Sequence, residues 1–404
     1  MPVVTMIGGG QLARMTHQAA IALGQTLRVL SGTADEPAAQ VSPDVVLGSH
    51  NDLDALRRAA TGAHALTFDH EGVPTEHLEV LQREGVNVLP PPQALIFAQD
   101  KIAMRKRLGT LGTPMPKFAE ITSVDDAIAA TESLGHPYVL KAARGGYDGR
   151  GVWILDDRAE LERVVAEQLA AGVPLLAEEK IEWKRELSAM VARSPFGQGA
   201  SWPVVETVQR DGQCAVVIAP APDLPADVAT AAEQLALRIA GELGVVGVMA
   251  VELFETRSGE LIVNELAMRP HNSGHWGMDG ARTGQFEQHL RAVLDYPLGD
   301  TTPLAPVTVM ANVLGAAEAP EMSMDERLHH LFARMPDAKV HLYGKGERKD
   351  RKIGHVNLLG DPNGSIDDPA YVAAVRERAE RAAHWLSHAV WTDGWNEHTG
   401  ENGE

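Results

Sequence analysis

The sequence predicts an α/β protein, α+β overall, that is built from two or three packed units. In the first hundred residues, short apolar runs alternate with helical patterns, and this spacing favours a parallel, doubly wound sheet. After residue 100 the pattern changes, and residues 186–219 alternate in the manner of antiparallel strands. A chain of 404 residues is also longer than one ordinary hydrophobic core supports, so several units are expected.

Composition argues against several classes of function. Hydrophobic residues make up 44% of the chain and charged residues 23%, which is the balance of a soluble globular protein. The formal charge is −19, from 36 Lys and Arg against 55 Asp and Glu, so neither nucleic acid nor a membrane surface is expected as a partner. Cys214 is the only cysteine, so we expect no intramolecular disulfide and no cysteine-based zinc site. The sequence shows no signal-peptide pattern and no membrane span, so a cytoplasmic protein is expected.

The first unit contains four apolar runs that read as strands. It opens with the strand VVTMIG, and a helix then places Leu12, Met15, Ala19 and Leu23 on one side. Further strands are predicted at TLRVLS, DVVLGS and ALTFD, with the helix DLDALRRAA between the last two. Consecutive prolines in VLPPP close the unit near residue 100.

The turn MIGGGQLARM matches the dinucleotide-binding fingerprint, with Gly8, Gly10 and Ala13 between a strand and a helix. Such a turn lets the backbone approach a phosphate at a helix N-terminus, and Asp35 is the nearest acidic candidate for a ribose. Asp35 nevertheless lies several residues beyond the expected end of the second strand. The alternative is a tight turn that needs glycine for packing, so NAD binding is one of two open interpretations.

Two segments of the middle region have the character of a nucleotide site. KAARGGYDGRGVW places four glycines between two strands, without the ending of a P-loop and without a following helix. Lys141 lies on the apolar strand before them, where an inward lysine needs an anionic partner. We therefore favour a loop that covers phosphates over a flexible hairpin connection. EEKIEW, at residues 178–183, follows a strand and could offer backbone groups to adenine and a carboxylate to ribose.

A long helix is predicted at PADVATAAEQLALRIAGELG. Its apolar side chains repeat at helical spacing and are expected on one face. The members of this face are Val228, Ala231, Leu235, Ile239 and Leu243.

The hairpin VMAVELFETRSGELIVNELA gives the clearest geometric prediction. If an even-length loop is centred on Arg257 and Ser258, Glu252 lies opposite Val263 on the paired strand. Glu252 and Glu265 then share one face as diagonal neighbours, roughly 7–8 Å apart. Two carboxylates on a largely apolar face repel unless a cation joins them, and hard oxygen ligands suit Mg²⁺. Two glutamates near solvent at a sheet edge are the alternative.

The stretch NELAMRPHNSGHW continues from this face with more polar groups than a core strand needs. Arg269, His271, Asn272 and Ser273 could fix a second, anionic substrate against a γ-phosphate, and Arg269 could neutralise charge during transfer. His271 and His275 are spaced i and i+4, but without HExxH they make a poor zinc site.

A basic stretch, YGKGERKDRKIGH, lies further along the acidic chain. It is either a solvated turn or a patch that binds phosphate, and composition alone favours the turn. Its basic residues are Lys345, Arg348, Lys349, Arg351 and Lys352.

Four motifs together resemble one enzyme family. GGGQLARM, GGYDGRG, NELAMRPHNSGHW and DRKIGH, in this order and at these separations, resemble the N5-carboxyaminoimidazole ribonucleotide synthetases, the ATP-grasp enzymes of bacterial purine biosynthesis. The similarity runs from the first strand to about residue 360. It implies a Rossmann-like pre-ATP-grasp domain at residues 1–98 and a two-lobed ATP-grasp domain at 99–300, with the small lobe at about 115–182. A small β-rich C-terminal domain at 301–392 and a polar tail at 393–404 would follow.

The resemblance also implies a reaction. ATP and bicarbonate would form carboxyphosphate, which would carboxylate the amine of 5-aminoimidazole ribonucleotide and release ADP and phosphate. Mg²⁺, with Mn²⁺ as an alternative, would be the cofactor of this carbon–nitrogen ligase, and the chain would form a homodimer.

The residues implied in this reaction follow from the matching motifs. The catalytic residues would be Asp148, Arg269, His271 and Asn272, and the metal ligands would be Glu252 and Glu265. ATP would be bound by Lys101, Lys141, Gly146, Tyr147, Asp148, Gly149, Arg150, Gly151, Val152, Glu178, Glu179, Lys180, Ile181, Glu186, Gln209, Asn264 and Glu265. The ribonucleotide and the small anion would meet Gln11, Leu12, Glu71, Tyr147, Arg150, Ser273, Lys345, Arg351 and Lys352.

Three other functions are open from the sequence. A sister ATP-grasp enzyme, such as the formate-dependent glycinamide ribonucleotide transformylase, would share most motifs, although Gln11 and HNSGH favour the carboxylating enzyme. An NAD-dependent oxidoreductase would use the glycine turn but would leave the two glutamates unexplained. A nucleotide-binding regulator without catalysis would keep Glu252 and Glu265 and show no turnover.

Overall fold

Three β-sheets with helices packed against them make up the protein. The structure is a computed structural model that describes residues 1–135, 138–145 and 151–395. Among the strands described below, only those of the first sheet pair in parallel, and the other two sheets pair in antiparallel fashion, which confirms the predicted α/β class. In the part of the chain that is described, no helix has the length and apolar character needed to cross a membrane.

The first hundred residues form a four-stranded parallel sheet, as the sequence predicts. Their elements are β1 (Val3–Ile7), α1 (Gln11–Ala22), β2 (Thr26–Ser31), β3 (Val45–Leu47), α2 (Leu53–Ala60), β4 (Ala65–Phe68), α3 (Thr75–Arg83) and α4 (Pro92–Gln99). The strand order is β3-β2-β1-β4. β4 is buried along its whole length, as expected for a parallel strand that is covered on both faces.

A second four-stranded sheet, called the small sheet below, follows one linking helix. Its strands take the order β5-β8-β6-β7, all antiparallel, and its apolar core around Leu140 and Leu161 is separate from the other cores. Ser123 and Asp157 cap the two helices that cover it. The elements are α5 (Lys101–Thr110), β5 (Phe118–Ile121), α6 (Val124–Leu134), β6 (Tyr138–Ala142), β7 (Val152–Leu155), α7 (Arg158–Ala170) and β8 (Leu175–Glu179).

The third sheet begins where the second ends. Its first strands confirm the antiparallel pattern predicted for residues 186–219. The elements are β9 (Trp183–Arg193), β10 (Gly199–Ser201), β11 (Val205–Arg210), β12 (Gln213–Ala219), α8 (Ala226–Leu243), β13 (Gly247–Thr256), β14 (Leu261–Ala267), a 3-10 turn (Asn272–Gly274), α9 (Gly277–Gly280) and α10 (Gln285–Val293).

The last hundred residues extend this third sheet and do not start a new one. Their elements are β15 (Thr308–Leu314), α11 (Met324–Arg334), β16 (Lys339–Leu342), β17 (Lys352–Leu359) and α12 (Pro369–His388). β15 pairs with β12 from Val216↔Ala311 to Ala219↔Thr308, so the order runs β14-β13-β9-β11-β12-β15-β17-β16 without a break. The strands of the middle and the end of the chain therefore belong to one continuous sheet.

Three details of the elements differ from the expectations or add to them. The helices α11 and α12 were not expected, because the resemblance implied a small β-rich domain in this region. The buried face of α8 is formed by Ala232, Ala236, Ile239, Ala240 and Leu243, and Ala231 is exposed. The start of the expected polar tail is exposed but tied by an ion pair, since Asp393 accepts from Arg334 at 3.1 Å.

Candidate active site

A β-bulge brings the two predicted metal ligands together. Counted from the hairpin tip, the two strands pair one residue to one as far as Leu253 with Val263. The following pair is Glu252 with Glu265, so Asn264 is an extra residue on the second strand. The predicted pairing of Glu252 with Val263 is wrong, because the loop has three residues and ends in Gly259 at φ +84. The bulge places the carboxylates directly opposite each other, which is closer than the predicted diagonal arrangement.

The surroundings of the two carboxylates fit a hydrated divalent cation. Lys101 donates to Glu265, and the Nε2 atom of His271 lies 3.3 Å from Glu252. Burial raises the pKa of Glu252, against the opposing charges of Lys101 and Lys141. Among the described residues there is no cluster of three His, Cys, Asp or Glu that could hold a metal alone. Two carboxylates and the amide oxygen of Asn264 suit Mg²⁺, which takes its other ligands from water and phosphate.

Behind the carboxylates lies a buried ion cluster around Glu178. This carboxylate is 2% exposed and accepts from Arg105 Nε at 2.5 Å and pairs with Lys141 Nζ at 2.7 Å. Arg105 also donates to the carbonyls of Val263 and Asn264, at 3.0 and 2.7 Å, and so holds the bulge in place. Both oxygens of the Glu178 carboxylate are thus occupied by cations. The expectation that Glu178 belongs to the ATP site stays a prediction.

Arg105 is a functional candidate that the sequence reading missed. It is fully buried, whereas the stretch IAMRKRLG around it has the pattern of an ordinary basic helix. Only its tertiary partners distinguish it from Lys106, whose pair with Glu120 is exposed.

The two predicted phosphate lysines lie side by side in the cleft. Burial and the charge of Lys141 lower the pKa of Lys101 to about 8. Burial likewise lowers the pKa of Lys141, although the charge of Glu178 opposes this effect. Lys141 Nζ also donates to Asn264 Oδ1 at 3.1 Å. An arriving polyanion would relieve the repulsion between the two lysines, which suits a phosphate site.

The predicted glycine loop joins β6 to β7 beside these lysines. Gly146, Tyr147, Asp148, Gly149 and Arg150 lie outside the described residues. Gly151 has φ +74 and its carbonyl accepts from Ala142 at 2.8 Å, while Val152 begins β7 and is 38% exposed. The described ends of the loop are therefore the paired strands that were expected.

The linker between the small and the large sheet contains the other nucleotide candidates. Glu179 is tied to Lys117, whose backbone N–H donates to its carboxylate at 2.8 Å, while Lys180 is exposed and Ile181 half-buried. Beyond the linker, Glu186 hydrogen-bonds with Gln209 on the neighbouring strand. Burial and the nearby charge of Glu252 raise the pKa of Glu186 to about 7.

The segment after β14 turns back over the acidic pair. Arg269 Nε donates to Glu71 at 2.8 Å, which joins the first unit to this segment. The backbone N–H of Ser273 points to His271 Nδ1 at 3.4 Å, so Nδ1 is the acceptor and Nε2 carries the proton towards Glu252. Burial and the charge of Arg269 lower the pKa of His271 to about 3, so the ring is neutral.

Ser273 has a different place from the one expected. It is 1% exposed, and its hydroxyl lies 2.7 Å from Ser188 Oγ and 2.8 Å from His271 Nδ1. The prediction that Ser273 contacts a substrate is corrected: it orients the imidazole instead.

The basic residues of the stretch YGKGERKDRKIGH lie near different parts of the protein. Lys345 donates to Gln11, whereas Lys352 lies close enough to Glu252 and His271 to influence both pKa values. Arg351 donates to the carbonyl of Gly346 within its own turn, at 3.1 Å. The predicted substrate groups Gln11 and Lys345 are thus brought together, and Lys352 lies near the acidic pair.

Leu12 is the predicted substrate residue that the structure removes from the cleft surface. Its side chain is 7% exposed and packs in a small apolar cluster with Met15, Phe286 and Tyr343. The expectation of a side-chain contact with substrate is therefore corrected, because this side chain is part of the core.

The glycine turn is filled by the protein itself. Asp69, at the end of β4, accepts from the backbone N–H groups of Gly10 and Ala13, both at 2.8 Å. A Cβ atom at Gly10 would lie 2.1 Å from Asp69 Oδ2, so the glycine is needed for this close approach. The amides that would bind a pyrophosphate are occupied, and the NAD interpretation is wrong for this turn.

Fold and site together define an ATP-grasp enzyme. Three family models match the chain in order: the ribonucleotide synthetase preATP-grasp domain at residues 1–99, the ATP-grasp domain at 106–286, and the phosphoribosylaminoimidazole carboxylase C-terminal domain at 308–368. The N5-carboxyaminoimidazole ribonucleotide synthase of Mycobacterium leprae is 66% identical, over 98% of this chain and 92% of its own. The chain belongs to the N5-carboxyaminoimidazole ribonucleotide synthase family, and it is an ATP-grasp ligase.

Two solved structures of the Aspergillus clavatus synthase share the fold. One, in complex with ATP, is 30% identical, has a TM-score of 0.81 and matches over 93% of this chain and 99% of its own. The other, with ADP and 5-aminoimidazole ribonucleotide, is 29% identical, has a TM-score of 0.82 and matches over 94% and 99%. The resemblance seen in the sequence motifs is thereby confirmed.

Proposed function

We propose that this chain carboxylates the amine of 5-aminoimidazole ribonucleotide, using ATP and bicarbonate, in purine biosynthesis. The observation that carries the proposal is the pair Glu252 and Glu265, placed between two buried lysines and the Arg269–His271 segment. Transfer of a phosphoryl group to a small anion requires opposed charges held in fixed positions, and this arrangement supplies them. The relatives with ATP and with ADP and the ribonucleotide support the same substrates.

The nucleotide would lie between the small and the large sheet. Lys101 and Lys141 would contact its phosphates, since both are buried cations with lowered pKa values. The linker at Lys180 and Ile181 would offer backbone groups to adenine, and Glu186 with Gln209 would meet the ribose. Glu252, Glu265 and Asn264 would hold Mg²⁺, with Mn²⁺ as an alternative, which when bound neutralises phosphate charge.

The reaction would proceed in two balanced steps. An oxygen of bicarbonate attacks the γ-phosphorus, the bond from phosphorus to the β-bridging oxygen breaks, and ADP leaves with that electron pair. The amine nitrogen then attacks the carboxyl carbon of carboxyphosphate, and phosphate leaves with the electron pair of the carbon–oxygen bond and the proton of the amine. Arg269 and the neutral His271 would hold the small anion, because a guanidinium and an imidazole N–H both donate to oxygen.

The ribonucleotide would lie on the side of the cleft that faces the first unit. There, Glu71 meets Arg269, and Gln11 meets Lys345. Lys352 would add positive charge for the substrate phosphate. Tyr147, Asp148 and Arg150, which lie outside the described residues, stay predicted substrate contacts from the sequence motif.

One assay tests the proposal by leaving out one component at a time. ADP release is measured with Mg·ATP and 5-aminoimidazole ribonucleotide, with and without bicarbonate, and separately with glycinamide ribonucleotide and formate. Turnover that needs the imidazole substrate and bicarbonate, with labelled bicarbonate entering an acid-labile product, supports the proposal. Turnover only with glycinamide ribonucleotide and formate rejects it in favour of the sister activity.

We further propose that the protein acts as a cytoplasmic homodimer. The family resemblance supports this assembly, and the residues of the cleft named above all come from one chain. Light scattering coupled to gel filtration measures the mass directly, and a particle of one chain would contradict the dimer.

A further inference from the structure

A pair of side-chain amides links the C-terminal region to the segment over the acidic pair. Of the pair, Asn312 is buried and Asn272 half-buried. Asn272 Nδ2 donates to Asn312 Oδ1 at 3.0 Å, and Asn312 Nδ2 donates back to Asn272 Oδ1 at 2.8 Å. Asn312 lies on β15 and is 8% exposed. Asn272 begins the 3-10 turn between His271 and Ser273.

The reciprocal pair alone does not define which way the two amides face. If both amides were flipped together, each nitrogen would still donate to the other side chain's oxygen. A third contact removes this ambiguity, because Asn312 Nδ2 also donates to the backbone carbonyl of Cys214 at 2.8 Å. A carbonyl only accepts, so the nitrogen of Asn312 must face Cys214, and the orientation of Asn272 follows from it.

Cys214 pairs with a strand that carries one of the predicted nucleotide contacts. β12 has a register shift next to this residue, where Gln209 pairs with Cys214 and Val208 pairs with Val216. Gln209 hydrogen-bonds with Glu186. Asn312 therefore connects the strands that carry the nucleotide candidates with the segment that carries Arg269 and His271.

We propose that Asn312 is a positioning residue that makes Asn272 present an N–H group to the small anion. One hydrogen of Asn272 Nδ2 is used by Asn312, and the second has no protein partner among the residues that the structure describes. An anion needs a donor, whereas an amide in the opposite orientation would turn its oxygen towards bicarbonate and repel it. This inference rests on the function proposed above and adds a residue that touches no substrate itself.

The test compares Michaelis constants in variants of both asparagines. Asn312→Leu is expected to raise the KM for bicarbonate at least about ten-fold, as expected for a lost hydrogen bond to a charged group, and to change the KM for ATP less than about two-fold. Asn272→Ala should raise the KM for bicarbonate similarly. The double variant should be no worse than Asn272→Ala alone, because Asn312 acts only through Asn272.

The matched control is Thr308→Val on the same strand. Thr308 is fully buried and its hydroxyl has no hydrogen-bond partner among the described residues, so the isosteric change should leave both constants unaltered. If thermal unfolding shows that Asn312→Leu is not folded, Asn312→Asp replaces it, since aspartate keeps the shape of the side chain and removes both N–H donors.

The outcomes separate this inference from the proposed function. A wild type that needs bicarbonate, with an unchanged KM in the Asn312 variants, overturns the role of Asn312 alone. The role of Asn312 is also overturned if Asn312→Leu raises the KM for bicarbonate by the same factor in the Asn272→Ala background as in the wild type. A wild type that releases ADP without bicarbonate overturns the proposed function and this inference together.

Discussion

Asn264 determines how the two carboxylates of the cleft meet. As the extra residue of the bulge it shifts the pairing by one position, so Glu252 faces Glu265 directly. Its carbonyl accepts from Arg105 and its side-chain oxygen from Lys141, so two buried cations hold the irregular backbone. Asn264 is thus a candidate metal ligand, and it also sets the relative positions of the other two candidates, Glu252 and Glu265.

We expect Glu265→Gln to abolish ATP turnover while the protein still folds. The neutral amide cannot share a divalent cation with Glu252, and it also leaves Lys101 without its anionic partner. ADP release as a function of Mg²⁺ measures the effect, and circular dichroism checks the fold. Glu260→Gln, an exposed change on the same hairpin, should behave as wild type. Full activity in Glu265→Gln would refute the metal assignment.

Glu186 should make stability depend on pH. Its pKa is about 7 in the folded chain and near its ordinary value of 4.5 in the unfolded chain. Between these values the unfolded chain has lost the proton and the folded chain retains it, so stability falls as pH rises from about 4.5 to about 7. The loss amounts to about 3 kcal/mol at most.

Glu186→Gln removes this titration. Its stability advantage over wild type in urea unfolding should therefore be small at pH 5 and reach its full size above pH 7. An advantage that does not change with pH would show that the carboxyl titrates normally.

At the scale of single residues, the sequence identifies which side chains matter better than what each one touches. The motifs point to Glu178 and Ser273, but only packing shows that their polar atoms are already used by Arg105, Lys141, Ser188 and His271. Arg105 has no sequence signal at all, because its burial depends on the bulge in a strand far along the chain.

At the scale of elements, helix α1 depends on a cap from a different strand. Gly10, at its N-terminus, has no side chain, and Asp69 accepts from two of its first N–H groups instead. The negative charge of Asp69 also lies at the positive end of the helix dipole.

Asp69→Ala should destabilise the protein by about 1 kcal/mol or more, because two partly buried N–H groups lose their acceptor. Thermal unfolding measures the shift. Asp54→Ala is the control, since this exposed residue only pairs with Arg57 across one turn and should change stability little. Equal effects of the two changes would contradict the capping role.

The pattern of apolar residues predicts the type of most elements but not their rotation or register. In α8 the large residues of the sequence suggest a face with Ala231, yet the sheet packs against Ala232 and Ala236, whose small side chains allow close approach. The hairpin register depends on Gly259, which adopts a left-handed conformation and closes a three-residue loop. Neither choice is visible in hydrophobic periodicity alone.

At the scale of the whole molecule, the third sheet spans the middle and the end of the chain. β12 and β15 pair across the expected boundary near residue 300, and the apolar side chains Val216 and Ile218 belong to the C-terminal core. The small sheet with its own core has no such continuity. The third sheet is therefore continuous across the expected boundary, whereas the small sheet packs around a core of its own.

A chain that ends at residue 300 should be insoluble or bind a hydrophobic dye. Removing β15 exposes the edge of β12 together with its apolar face, which is an aggregation hazard. Gel filtration and dye fluorescence of the fragment test this, and co-expression with residues 301–404 should restore solubility. A soluble, monomeric fragment without dye binding would show that the boundary is a true domain limit.

The glycine turn whose N–H groups are occupied by Asp69 has a consequence for assigning function from genome sequences. A glycine fingerprint after a first strand is widely used as evidence for a redox cofactor, and this chain carries one that binds its own Asp69. The distinguishing feature lies some sixty positions downstream, at the end of β4, and no local pattern search includes it. Automated assignment of oxidoreductases would become more selective if an acidic residue at that strand end were counted against the match.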